Sequence, residues 1–100
     1  MNHNNRDVKI HALMHAISLI QNAEEALQFF TDLCTPTELE AMADRWQVVP
    51  LLQQKVPYRT IHEQTGVSVA TITRIARCMQ FGSGGYHLMM KRSEKLNQSQ

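Results

Sequence analysis

Three arginines, Arg59, Arg74 and Arg77, fall within the stretch Tyr58 to Gln80, YRTIHEQTGVSVATITRIARCMQ, which also carries Ser68, Ala70, Thr71 and Thr73. Cationic side chains suit phosphates, and small or hydroxylated ones suit a helix that must lie close to base edges. The chemistry this combination can do is recognition of double-stranded DNA. No spacing in the chain joins a carboxylate pair, a metal cluster or a nucleophile with its base, so the sequence is not expected to be an enzyme. His11 and His15 in HALMH are four apart and could share a metal, but no glutamate or third ligand accompanies them, and a solvated helix face accounts for both. Cys34 and Cys78 follow no CxxC spacing, which argues against a zinc ribbon or a disulfide framework and for reduced thiols. The glycine cluster Gly82-Ser83-Gly84-Gly85 is followed by Tyr86-His87 where a phosphate loop would need Lys-Ser/Thr, so it is read as a turned connection.

The elements that must position the arginines form a helix-turn-helix. Ile61 lies on a first short helix from Pro57 to Thr65, Gly66 occupies the tight turn, and Ser68 caps a second helix from Val69 to Met79. Val69, Ile72, Ile75 and Met79 make one apolar face of that second helix, with Ala70, Thr71, Thr73, Arg74 and Arg77 between them. An ordinary αα-hairpin with a solvated outer face would share this pattern. Charge adds a second signal: residues 1 to 54 hold three basic and seven acidic groups (net −4), and residues 55 to 100 hold seven basic and two acidic (net +5). The positive field is concentrated on the half that holds the motif, as a phosphate-binding surface requires.

The remaining chain supplies the scaffold. One hundred residues, 43% hydrophobic and 19% charged, bound a single soluble domain. The polar residues 1–6 are expected to fray, and Ile10, Leu13, Met14, Ile17 and Ile20 mark one face of a first helix. Asn22 and Glu25 are a capping pair for a second helix that carries Leu27, Phe30 and Leu33 inward. Thr35-Pro36-Thr37-Glu38 is a strong start signal for a third, which runs through Leu39, Met42, Ala43, Trp46 and Val49 with Trp46 in the core, until Pro50 bends or divides it. Tyr86, Leu88, Met89 and Met90 suggest a last short helix, and residues 93–100 a polar tail. No run of alternating β-branched residues reads as a strand, so the fold class is all-α, with about six helices around a central helix-turn-helix. The first two helices present more apolar surface than so small a core covers, which predicts a homodimer. The N-terminus lacks the apolar segment of a signal peptide and no run is long enough to span a bilayer, so a cytoplasmic protein without membrane attachment is expected.

The segments Leu33-Cys34-Thr35-Pro36 with Glu38, Glu40 and Ala41, then Arg45, Leu51-Leu52 and Ala70-Thr71-Ile72-Thr73-Arg74, together resemble the tryptophan repressor family over roughly residues 10 to 92. The ending, from Arg77-Cys78 to Gly85-Tyr86, resembles its Trp-repressor-like branch. This resemblance implies an intertwined all-helical dimer that represses transcription by placing the helix from Val69 to Met79 in the major groove. It implies DNA-facing positions at Arg59, His62, Val69, Ala70, Thr71 and Thr73; Ser68, Arg74 and Arg77 complete the expected DNA-binding set. It places Thr35, Arg45 and Arg74 around an effector, with Cys78 where the family has a serine that meets the ligand carboxylate. A small anionic or amino-acid effector suits two guanidinium groups. Three departures count against tryptophan itself: Ile75 replaces a glycine that leaves an indole room, Cys78 replaces the serine, and Asp32 replaces a leucine of the pocket wall. The segment from Arg45 to Leu51 is also one residue shorter than in the family. The expectation is a DNA-binding transcriptional regulator, a repressor in the first instance; the alternative is a helical protein-protein interaction or assembly module on the same scaffold.

Overall fold

The computed structural model describes residues 3–98, and these form six helices with no strand among the described residues: α1 (His3–Ser18), α2 (Ala23–Leu33), α3 (Pro36–Gln53), α4 (Tyr58–Thr65), α5 (Val69–Phe81) and α6 (Gly85–Gln98). The all-α fold read from the sequence is the fold observed. The ends depart from it: residues 3–6 and 93–98, expected to fray or trail, are helical, while residues 1–2 and 99–100 lie outside the described residues. Backbone contacts divide the chain into two units, Met1–Leu39 and Glu40–Gln100.

In the first unit the helix starts are made by local side-chain chemistry. The Asn22 side chain accepts from the Glu25 amide at 2.8 Å, and the Glu25 carboxylate accepts from the Gln21 amide at 3.0 Å. At the start of α3 the exchange is a full capping box, with the Glu38 amide donating to Thr35 Oγ1 at 3.1 Å and the Thr35 amide donating to the Glu38 carboxylate at 2.8 Å. Phe29 and Phe30 meet edge to face at 5.7 Å. The inward assignment of Leu27 and Leu33 does not hold, because α2 buries none of its residues and these two leucines are 62% and 47% exposed. Two helices alone have too little mass to cover both sides of an amphipathic α2. Ile10 and Met14 on α1 are likewise exposed, and Leu13 and Ile17 half-buried.

The second unit has the core. Val48 and Val49 of α3, Ile61 of α4, Val67 of the turn, Ile72 and Ile75 of α5 and Met90 of α6 are buried together, with Leu51, Leu52, Val56, Met79 and Tyr86 packed around them. Trp46 is not among them: it is 39% exposed and stacks on Tyr86 with ring centroids 6.5 Å apart. Of the apolar period read on α3, Val49 is buried as expected while Met42 and Trp46 stay exposed, and the core takes Val48 beside Val49 with Leu51 and Leu52 packed around them. Nor does Pro50 divide the helix, since α3 continues through it to Gln53. The stop comes at Lys55, whose positive φ of 62° lets its amide reach the Leu52 carbonyl and the Val56 amide reach that of Leu51, both at 3.0 Å. That is a Schellman closure with lysine where glycine is the common residue.

Candidate nucleic-acid interface

The geometry of the motif follows from the turn between α4 and α5. Gly66 closes α4 in the left-handed conformation (φ 78°), and its amide donates to the His62 carbonyl at 2.8 Å. Thr65 braces the same turn from within, its hydroxyl donating to the Ile61 carbonyl at 2.7 Å and accepting from the Val67 amide at 3.1 Å. His62 Nδ1 lies 2.8 Å from the Val67 carbonyl. A carbonyl only accepts, so that ring nitrogen carries the proton and Nε2 is left as the second polar atom. Ser68 then starts α5, accepting from the Thr71 amide at 3.2 Å. The two helices are clamped through fully buried Ile61 and Ile72 with Val67 and Ile75 beside them.

On this frame the residues singled out in the sequence separate by face. Arg59, His62, Ser68, Ala70, Thr73, Arg74 and Arg77 are exposed and Thr71 is half-buried. Val69, placed by its period on the apolar stripe, is 47% exposed and lies with the outward residues, because the stripe that packs on α4 begins one turn later at Ile72. Thr73 donates its hydroxyl proton to the Val69 carbonyl at 2.8 Å. Tyr86 and His87 were missed as contributors to this region. His87 Nε2 ties α6 to the last turn of α5 through the Met79 carbonyl at 2.7 Å, a contact between residues eight apart for which the sequence carries no local signal.

Arg45, Arg74 and Cys78, three of the four residues matched to an effector site, come together with Thr71, Ile75 and Tyr86 around a cavity of about 230 Å³. Ile75 is 2% exposed and belongs to the hydrophobic core beneath it. Thr35, the fourth, lies in the other unit, with its hydroxyl engaged in the capping box. Asp32 is exposed, also in the first unit. Both cysteines are free, Cys34 half-buried and Cys78 exposed. His11 and His15 are exposed on α1.

The family model described as Trp repressor protein matches residues 8–94, most of the chain and all of the motif. The chain belongs to the Trp repressor family. It is 34% identical over 87 residues to the uncharacterized protein YerC of Bacillus subtilis (strain 168), covering 87% of this chain and 84% of that one. Its structure resembles a candidate Trp repressor from Staphylococcus aureus (TM-score 0.82, 37% identity, 87% of each chain). It also resembles a TrpR-like protein from Eubacterium eligens ATCC 27750 (TM-score 0.84, 32% identity, 93% of this chain and 96% of that one). The Trp repressor family is one of DNA-binding regulators and not of enzymes. Among the described residues no helix is long and apolar enough to cross a membrane.

Proposed function

We propose that the protein is a cytoplasmic, homodimeric repressor that binds a specific DNA sequence with the outer face of α5 in the major groove. The observation that carries this reading is the division of α5 into a buried face, Ile72 and Ile75 against Ile61 of α4, and an outer face of Val69, Ala70, Thr73 and Arg77 free of core contacts. A short α4 and a rigid, capped turn hold that face outward, and the half of the chain that contains it carries the positive charge. Arg59 and His62 of α4, the cap residue Ser68, and Val69, Ala70, Thr71, Thr73, Arg74 and Arg77 of α5 are the proposed DNA contacts. Dimerisation is supported by the apolar groups left in water on a single chain, including Leu27, Leu33, Met42 and Trp46.

The cavity between Arg45 and Arg74 suits a small anionic or amino-acid-like effector, but Ile75 of its lining is 2% exposed and packs in one cluster with Ile61 and Ile72, at the position where a glycine would leave an indole room. The proposed repressor therefore binds its operator without tryptophan, which binds weakly if at all. Selection of bound duplexes from random DNA by the full chain, followed by fluorescence anisotropy with and without amino acids, tests the reading. Enrichment of one sequence, bound without added ligand, is the expected result. Recovery of no preferred sequence would overturn it in favour of a protein-interaction module.

A further inference from the structure

The turn of the motif fixes the ring of His62 and decides what that ring can offer to DNA. His62 Nδ1 lies 2.8 Å from the Val67 carbonyl. A carbonyl only accepts, so Nδ1 holds a proton in this bond whatever the charge of the ring. In the neutral ring that is the one nitrogen-bound proton, and Nε2 carries a bare lone pair. A phosphate oxygen also only accepts, so the neutral ring has nothing to donate to it. The imidazolium has a second N–H, at Nε2, and can donate it to a phosphate while Nδ1 keeps the bond to Val67.

The surroundings place the ring for such a contact. His62 is exposed and stands on α4, the first helix of the motif, and in helix-turn-helix docking the first helix is the one that crosses the DNA backbone. Arg59, three positions earlier on the same side of α4, is exposed with it. The other titratable groups of α4 are Tyr58 and Glu63; the turn at residues 66–68 has none, and α5, which packs on α4, brings none before Arg74. Helices α3 and α6 meet α4 at its buried side, where Val48, Val49 and Met90 cluster with Ile61.

We infer that His62 holds a DNA phosphate as an imidazolium, so that operator binding takes up a proton at each bound His62 and tightens as the pH falls. The inference rests on the motif being the DNA-contacting surface and adds how its affinity is tuned. Imidazole ordinarily changes charge between about pH 5 and 8. The complex holds one proton more than the protein with a neutral ring, so raising the pH favours dissociation, by at most about tenfold in affinity per pH unit for each proton taken up.

The test uses the full chain and the duplex it selects from random DNA, with affinity read by fluorescence anisotropy from about pH 6 to about pH 8 at constant ionic strength. The parent should bind more weakly as the pH rises, and its salt dependence at the acid end should be steeper by about 0.9 for each His62 phosphate contact. His62→Gln cannot be charged, and its affinity should vary with pH clearly less than the parent's. His62→Lys is cationic throughout, and should keep at the alkaline end the affinity the parent shows at the acid end. Both variants give up the imidazole bond to Val67, so the difference between them reports the charge and not the turn. A parent affinity that is flat with pH would overturn the inference, since His62 would then be a neutral ring that accepts at Nε2 or touches no DNA. A pH dependence retained in full by His62→Gln would overturn it as well, by assigning the proton to another group. Either result leaves the DNA-binding reading intact; if no sequence is selected at all, that reading falls and the inference falls with it.

Discussion

Replacing Ile75 tests whether the motif is held by its own core or by a ligand. The side chain is 2% exposed and packs in one cluster with Val48, Val49, Ile61 and Ile72. Truncating a buried isoleucine to alanine costs about 2 to 5 kcal/mol through lost transfer free energy and the cavity left behind, and glycine in a helix interior adds about 1 kcal/mol. Ile75→Gly should therefore lose about 3 to 6 kcal/mol, a large part of the roughly 5 to 15 kcal/mol that holds a domain folded. Ile75→Val, which removes one methyl group, should lose about 0.5 to 1.5 kcal/mol and serve as the graded control. In urea, with an m-value of about 1 to 3 kcal/mol/M, a 3 kcal/mol loss moves the midpoint down by at least about 1 M. Protomer concentration must be held constant, because dimerisation would make the midpoint concentration-dependent. Calorimetry with tryptophan supplies the second arm: neither the parent nor Ile75→Gly should show micromolar binding. An Ile75→Gly protein that unfolds at the parent midpoint and binds tryptophan tightly would refute the argument, and so would a parent protein whose operator affinity rises with tryptophan.

The other predictions concern the scaffold, the interface and the assembly. Lys55 adopts φ 62° at the end of α3, so Lys55→Gly should raise stability by about 0.5 to 1 kcal/mol, seen as a higher urea midpoint with an unchanged slope; a lower midpoint would contradict the strain assigned there. Ser68→Asp preserves an oxygen that can accept from the Thr71 amide and sets a negative charge at the positive end of α5, so thermal stability should hold while operator affinity falls; parallel loss of both would mean that Ser68 acts only through folding. Arg77→Ala should weaken binding to all duplexes alike and make the salt dependence shallower by about 0.9 per lost phosphate contact, and an unchanged slope would remove Arg77 from the backbone contacts. A charged residue at half-buried Ile17 should dissociate and unfold the protein together, and a folded monomer of the parent at micromolar concentration in the ultracentrifuge would sink the dimer reading.

The parts of the fold legible in the sequence are those decided within a few residues. Thr35 and Glu38 cap α3 as their spacing demands, Gly66 takes the left-handed turn and Ser68 starts α5, because each bond joins groups three or four positions apart. Choices among competing faces were not legible. On α3 the period through Met42, Trp46 and Val49 marks an apolar face, yet of these three only Val49 is buried, together with Val48, which that period leaves out, and packing in one cluster with Ile61, Ile72 and Ile75 decides it. Leu27 and Leu33 failed for a related reason, since an apolar period states that a face will be covered without stating by what. The candidate DNA face was readable because its members are compressed into one short segment. The cavity was readable only in part: Arg45 and Arg74 were matched through the family resemblance, while Tyr86, which arrives from α6, was not.

The cavity and the outer face are two sides of one helix. Arg74, Ile75 and Cys78 line the cavity, while Val69, Ala70, Thr73 and Arg77 point away from the core, so a ligand could influence DNA binding by shifting or stiffening α5. A ligand biases such an equilibrium only as far as its affinity differs between the two positions of the helix. Ile75 works against a second position, because moving α5 away from α4 would pull a side chain that is 2% exposed out of its contacts with Ile61 and Ile72. Opening that contact would cost a penalty of the same order as truncating the residue, about 2 to 5 kcal/mol, against coupling free energies that typically amount to 1 to 3 kcal/mol. A helix so fastened is already in one position before any effector arrives, and on the proposed reading that position is the one that binds DNA.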